Sequence, residues 1–184
     1  MRKLLEQKRT CFTFLRKEVY KVKRVIVIGC PGSGKSTFSV ALHTKTGIPL
    51  YHLDMMYWNA DKTTVEKSMF LECLSNVLKN EEWIIDGNYI STMELRMAEC
   101  DTVIFLDYPL DVCLVGINER LGKPRKDIPW VETELDAEFI EFVKTYNSQT
   151  RPKVYALLDK YKKDKRIIVF NSREQADEFL SFYR

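Results

Sequence analysis

The sequence predicts an α/β domain built on a five-stranded parallel sheet with helices on both faces. Two patterns and the length predict it. Short runs rich in Val, Ile and Phe alternate with stretches of helical periodicity, which is how a parallel sheet and its crossovers read. The runs are continuously apolar, as strands buried on both faces require. A length of 184 residues suits one domain, or one domain with a small insertion. Such a chain buries roughly 70% of its unfolded surface and needs no disulfide or metal staple.

The elements follow in order. Arg24-Val25-Ile26-Val27-Ile28 is the first strand, and residues 35–46 are a helix ended by Gly47 and then Pro49. Leu50-Tyr51-His52-Leu53 is a second, short strand. Thr63 and Glu66 form a capping box, behind which Met69, Phe70, Cys73, Leu74, Val77 and Leu78 repeat at helical spacing. Trp83-Ile84-Ile85 and residues 102–106 are strands three and four. Residues 110–121 are helical and are stopped by Gly122 and Pro124. Two more helical patterns cover residues 132–148 and 152–162, the second opened by Pro152 in its first turn. Residues 166–170 are the fifth strand, and Ser172 with Gln175 caps a last helix. Parallel sheets bind ligands beyond the carboxyl ends of their strands. Chemistry is therefore expected just after Ile28, Leu53, Ile85 and Leu106.

Gly29-Cys30-Pro31-Gly32-Ser33-Gly34-Lys35-Ser36, followed by Thr37, matches the phosphate-binding pattern G-x-x-x-x-G-K-[ST]. It follows a buried strand and opens a helix, as the mechanism needs. Glycines let main-chain N–H groups ring a phosphate with no Cβ in the way, and the helix N-terminus adds its positive end. Lys35 then reaches the β- and γ-phosphates, and the Ser36 hydroxyl ligates Mg²⁺. Cys30 lies among these amides and near Lys35, both of which would lower a thiol pKa. It reads first as a small residue at a tolerant position, with a thiol whose oxidation blocks nucleotide binding as the alternative.

Carboxylates stand at the other strand ends. Asp86 is the expected support for Mg²⁺, with Asp107 as competitor. Asp54 is placed to accept the proton of an attacking hydroxyl, with Trp58 in the wall of the acceptor pocket. Arg120, Arg125 and Arg151 flank a helix, a Gly/Pro-interrupted loop and a returning helix, a lid over residues 120–151. Arg120 and Arg151 are the expected partners of the transferring phosphoryl, and Arg96 of an anionic acceptor.

Charge is divided unevenly. Residues 1–24 hold nine basic residues against Glu6 and Glu18, or +7, whereas the remaining 160 hold 20 basic and 24 acidic residues, or −4. An acidic body argues against a protein that grips nucleic acid throughout, and leaves DNA contact at most to the basic arm. Five cysteines without a C-x-x-C pair point to a reducing, cytoplasmic setting rather than to disulfides or zinc. The histidines lack metal spacing. No stretch is long and apolar enough to span a membrane, and the arm has no secretory apolar core.

These residues carry a resemblance. Residues 25–37, Thr46-Gly47-Ile48-Pro49-Leu50-Tyr51-His52-Leu53-Asp54 with Trp58, and Trp83-Ile84-Ile85-Asp86-Gly87-Asn88-Tyr89 with Thr92 and Arg96 are part of it. Residues 98–107 with Pro109, and Arg151-Pro152-Lys153, complete it. The chain resembles adenylate-kinase-like P-loop proteins, and more closely the bacterial DNA topology modulation proteins, the FlaR-like family. The resemblance covers about residues 23–180 and leaves residues 1–22 as an extension beyond a domain of residues 23–184. It implies the three-layer P-loop NTPase fold of nucleoside and nucleotide kinases with a small helical lid. It also implies ATP with Mg²⁺, and phosphoryl transfer to a small-molecule or nucleotide acceptor. The family name implies the alternative of an ATP-dependent regulator of DNA topology. Two departures separate the chain from monophosphate kinases. Asn88-Tyr89 stands where those kinases carry a Pro-Arg pair, and their monophosphate-binding segment is replaced by His52-Leu53-Asp54-Met55-Met56. An Asp at that strand end is similar to small-metabolite kinases of the same superfamily.

Overall fold

A computed structural model describes residues 22–183. The basic arm therefore lies outside the described residues except for Val22, which is buried in the core. The sheet has five parallel strands: β1 (Arg24–Gly29), β2 (Leu50–His52), β3 (Trp83–Asp86), β4 (Thr102–Leu106) and β5 (Arg166–Phe170). Their order is β2-β3-β1-β4-β5. The chain leaves β1 for the far edge, returns through β3, and then crosses to the other side of β1. This reversal opens a crevice at the carboxyl end of β1.

Successive side chains of a strand face opposite ways. Val25 and Val27 enter one core with Phe38, Leu42, Ile117 and Phe179, whereas Ile26 and Ile28 enter the other with Leu74, Trp83, Met93 and Leu158. The first layer contains α1 (Lys35–Thr46), α5 (Leu110–Arg120), α6 (Ala137–Gln149) and α8 (Arg173–Ser181). The second contains α2 (Leu53–Tyr57), α3 (Lys67–Leu78), α4 (Ile90–Glu99) and α7 (Arg151–Tyr161). The fold is thus the three-layer α/β fold that the alternating pattern predicts. Among the described residues no helix is long and apolar enough to cross a membrane.

Local departures have local causes. The second strand stops at His52, and Leu53 turns into the short helix α2, so Asp54 sits in a helical first turn rather than at a strand end. The expected capping box does not form. Thr63 bonds Asp61 through both its N–H (3.0 Å) and its hydroxyl (2.6 Å), while Trp58 bridges Thr64, so residues 58–64 close a turn of their own. The helix behind it starts at Lys67 with no side-chain cap. Ser172 does cap α8, accepting from the Gln175 N–H. The expected helix from residue 132 begins at Ala137, capped by Asp136, and residues 121–136 form an irregular loop. Within the expected lid segment, α6 buries Val143 and Tyr146 in the core.

The P-loop packs directly on α5. A Cβ on Gly32 would meet the Cys113 carbonyl oxygen at 2.0 Å, and one on Gly116 would meet the Gly32 carbonyl oxygen at 2.2 Å. Gly→Ala inside a helix ordinarily stabilises by about 1 kcal/mol. Here the added methyl meets main chain, and overpacking of this kind costs about 1–3 kcal/mol. Gly116→Ala is therefore expected to lower the urea midpoint of unfolding; a higher midpoint would refute this packing.

Candidate active site

Gly29 ends β1, and the loop that follows leads through Gly34 (φ 89°) into α1 at Lys35. Lys35 Nζ donates to the carbonyls of Gly29 (3.0 Å) and Cys30 (3.2 Å). Burial lowers the Lys35 pKa, against the pull of Asp54 and Asp86.

The end of β3 braces this loop. Asp86 is level with Val27 on the neighbouring β1. The Asn88 carboxamide then grips both polar groups of Gly29, accepting from its N–H (3.0 Å) and donating to its carbonyl (2.6 Å). Residues 87–89 are held in turn by Arg96, which is wholly buried and donates to the carbonyls of Gly87 (2.9 Å), Asn88 (2.5 Å) and Tyr89 (3.2 Å). Tyr89 takes a left-handed conformation (φ 32°), rare for a residue with a side chain. So held, its hydroxyl donates to Asp54 Oδ1 at 2.7 Å and is also hydrogen-bonded by Trp58. Burial pushes the Arg96 pKa down to about 10. Sequence reasoning expected this guanidinium at an anionic acceptor; instead it faces main-chain carbonyls.

Asp54 and Asp86 share the crevice with Lys35. Burial raises the Asp54 pKa, opposed by the Tyr89 hydroxyl and Lys35 and reinforced by Asp86 and Asp127. Asp86 Oδ1 pairs with His52 Nδ1 at 2.9 Å, whereas its Oδ2 is buried without a partner. Burial alone would lower the His52 pKa, but the Asp86 hydrogen bond and the charges of Asp86, Asp127 and Asp54 outweigh it and raise it. Asp107, the competitor, has both oxygens engaged: Arg151 Nε and Nη2 each donate at 2.7 Å, and the Tyr155 hydroxyl at 2.6 Å.

The lid arginines are also paired. Arg151 lies over the Tyr155 ring at 4.8 Å, and Arg120 pairs with Glu132 at 2.9 Å. Arg125 bonds both Asp127 (Nε, 2.9 Å) and Glu132 (Nη1, 2.7 Å). Asp127 Oδ2 accepts from the Ser36 hydroxyl at 2.5 Å. Trp130 meets Trp58 edge-on at 5.7 Å, so the loop of residues 121–136 also touches the segment that follows α2. His52 and Asp127 carried no sequence signal for the site: His52 lacks metal spacing, and 91 residues separate Asp127 from Ser36. The expected activation of Cys30 is reversed. Its hydrogen bond with Cys113, together with burial, raises the thiol pKa, more than Lys35 lowers it.

No protein-family model matches the chain, and no curated protein matches it. Among solved structures it is similar to shikimate kinase from Bacteroides thetaiotaomicron. Identity is 19%, the match covers 88% of this chain and 95% of that chain, and the TM-score is 0.49. The chain's own topology is a five-stranded parallel sheet of order β2-β3-β1-β4-β5, with the phosphate-loop pattern between β1 and α1.

Two stability effects follow from these contacts. Lysine cannot reproduce the guanidinium fork, so Arg96→Lys is expected to cost about 1–3 kcal/mol in chemical denaturation. Hydrogen bonds from Arg125 and Ser36 overcome burial and hold the Asp127 pKa down to about 2, below its ordinary 3.8. A depressed carboxylate pKa stabilises fully above the unfolded value and loses that stabilisation as pH falls through the folded one. The stability gap between the parent and Asp127→Asn is therefore expected to shrink between pH 3.8 and about 2. A gap that stays constant over this range would contradict the assignment.

Proposed function

We propose that the protein is an ATP-dependent phosphotransferase acting on a hydroxyl-bearing small molecule. One observation carries this: the P-loop lysine converges with two carboxylates, Asp54 in the first turn of α2 and Asp86 at the end of β3, in the crevice beside β1. The loop amides of residues 29–37 and the start of α1 suit the phosphates of ATP. A groove of about 400 Å³ on the α5 and α8 side of the loop, with Pro109, Val112 and Val115 as its apolar wall and Asn171 and Arg173 as polar neighbours, suits the base.

The residues fit Mg²⁺. Ser36 Oγ and Asp86 Oδ2 are hard oxygen donors, and the latter is a buried acceptor still lacking a partner. Bound with ATP, Mg²⁺ would offset charge on the β- and γ-phosphates. Lys35, drawn off the loop carbonyls, would meet the same oxygens. On the other side, Asp54 takes the proton of the attacking hydroxyl. Burial makes it a stronger base than an exposed carboxylate, and the Tyr89 hydroxyl fixes its orientation. The γ-phosphorus then bonds to the acceptor oxygen as its bond to ADP breaks. Arg96 is engaged by residues 87–89, which favours a small metabolite over a nucleotide as acceptor. Arg120 and Arg151 would reach the phosphoryl group only by leaving Glu132 and Asp107.

Lys35→Ala is expected to abolish ATP binding or turnover with the circular dichroism spectrum kept; unchanged turnover would sink the mechanism. Asp54→Asn is expected to slow transfer by about 10²–10⁴-fold at unchanged ATP affinity. A parallel loss of ATP affinity would make Asp54 structural. The decisive screen is acceptor-dependent ADP release with nucleosides, nucleotides, sugars and small hydroxy acids; no release with any of them would favour an inactive scaffold. We assign the working domain to residues 23–184, so a chain lacking residues 1–22 is expected to turn over ATP equally well. Duplex DNA binding, if present, is expected to vanish with that arm.

A further inference from the structure

Resting on the ATP·Mg²⁺ reading above, we propose that Asp127 is a lid-borne anionic contact for the nucleotide's divalent cation, so that metal loading and lid closure are one event. Its carboxylate sits on the P-loop hydroxyl assigned to the metal in that reading: Oδ2 is 2.5 Å from Ser36 Oγ. The placement is built. Arg125 clamps Asp127 through Nε and Nη2, Glu132 ties Arg125 to Arg120 at the end of α5, and the Glu132 carbonyl accepts from the Gly122 N–H at 2.7 Å. Arg125 already has Glu132 as a counter-ion. Pairing with Arg125 therefore does not explain why a second carboxylate is carried across to Ser36.

A second observation points to the same place. Asp86, 4% exposed, keeps Oδ2 without a hydrogen-bond partner, and its charge acts with that of Asp127 on both His52 and Asp54. Carboxylate and hydroxyl oxygens are hard donors suited to a magnesium-like cation. Among the described residues no three His, Cys, Asp or Glu side chains are arranged to hold a metal by themselves. The cation then arrives with phosphate oxygens, and Asp127 completes its surroundings when the lid is down. The same loop carries Trp130 onto Trp58, so closure over the metal also covers the acceptor side.

The test uses Mn²⁺ as a paramagnetic probe, titrated into the full chain with a non-hydrolysable ATP analogue and followed by electron paramagnetic resonance. Asp127→Asn is expected to weaken Mn²⁺ binding by about 10–100-fold. Affinity for the metal-free analogue is expected to be kept. The Mn²⁺-dependent change in tryptophan fluorescence is expected to be lost. Arg125→Gln, which removes the clamp and keeps the carboxylate, is expected to weaken Mn²⁺ in the same direction and serves if Asp127→Asn does not fold. Unchanged Mn²⁺ affinity in both variants would overturn the proposal. Tighter binding in Asp127→Asn would overturn it too, by showing that the carboxylate blocks Ser36. A parent chain that binds the analogue but no Mn²⁺ refutes the metal contact alone; one that binds neither refutes the phosphotransferase reading with it.

Discussion

The bidentate bond between the Asn88 carboxamide and Gly29 is the constraint on which the rest of the crevice depends. At the end of β1 the ladder stops, and the polar groups of a buried main chain still need partners. Asn88 supplies both, at 3.0 and 2.6 Å. That fixes the first residue of the P-loop to the end of β3. Arg96 then holds the turn that presents Asn88, and the same turn sets Tyr89 against Asp54. The start of the P-loop and the Asp54 carboxylate are thus positioned by one three-residue segment.

Charge pairing shapes the other half of the crevice. The arginines expected around a transferring phosphoryl are engaged by Glu132, Asp127 and Asp107. They fix the loop of residues 121–136 and the end of β4. The charge neighbours of Asp54 are Lys35, Asp86 and Asp127, and aromatic rings follow it in the chain, so carboxylates and aromatic rings dominate its surroundings.

Legibility in the sequence followed the range of the interaction. The apolar run of β1, the Gly47 stop and the Ser172 cap depend on neighbours within a few residues, and each formed as read. Helix α4 was not read as an element, because its inward face carries Arg96 between Met93 and Met97 and breaks the apolar repeat. The Thr63–Glu66 box failed because Asp61 lies closer to Thr63 and competes for the same hydroxyl and N–H. Asp54 was placed one element too early, since nothing in Leu50-Tyr51-His52-Leu53 marks where extension gives way to helix.

By itself the sequence determined the alternating α/β pattern, the phosphate loop with Lys35 and Ser36, and the carboxylate Asp86 at the end of β3. Periodicity and glycine placement are local properties, and a P-loop is a contiguous one. Tertiary structure alone decided that Arg96 faces the main-chain carbonyls of residues 87–89 and that the free thiols of Cys30 and Cys113 are neighbours. It also decided that Asp107 belongs to Arg151, and that Asp127 crosses 91 residues to reach Ser36. Each of these depends on which side chains the β2-β3-β1-β4-β5 order brings to one edge of the sheet, and that order is settled by packing between distant segments.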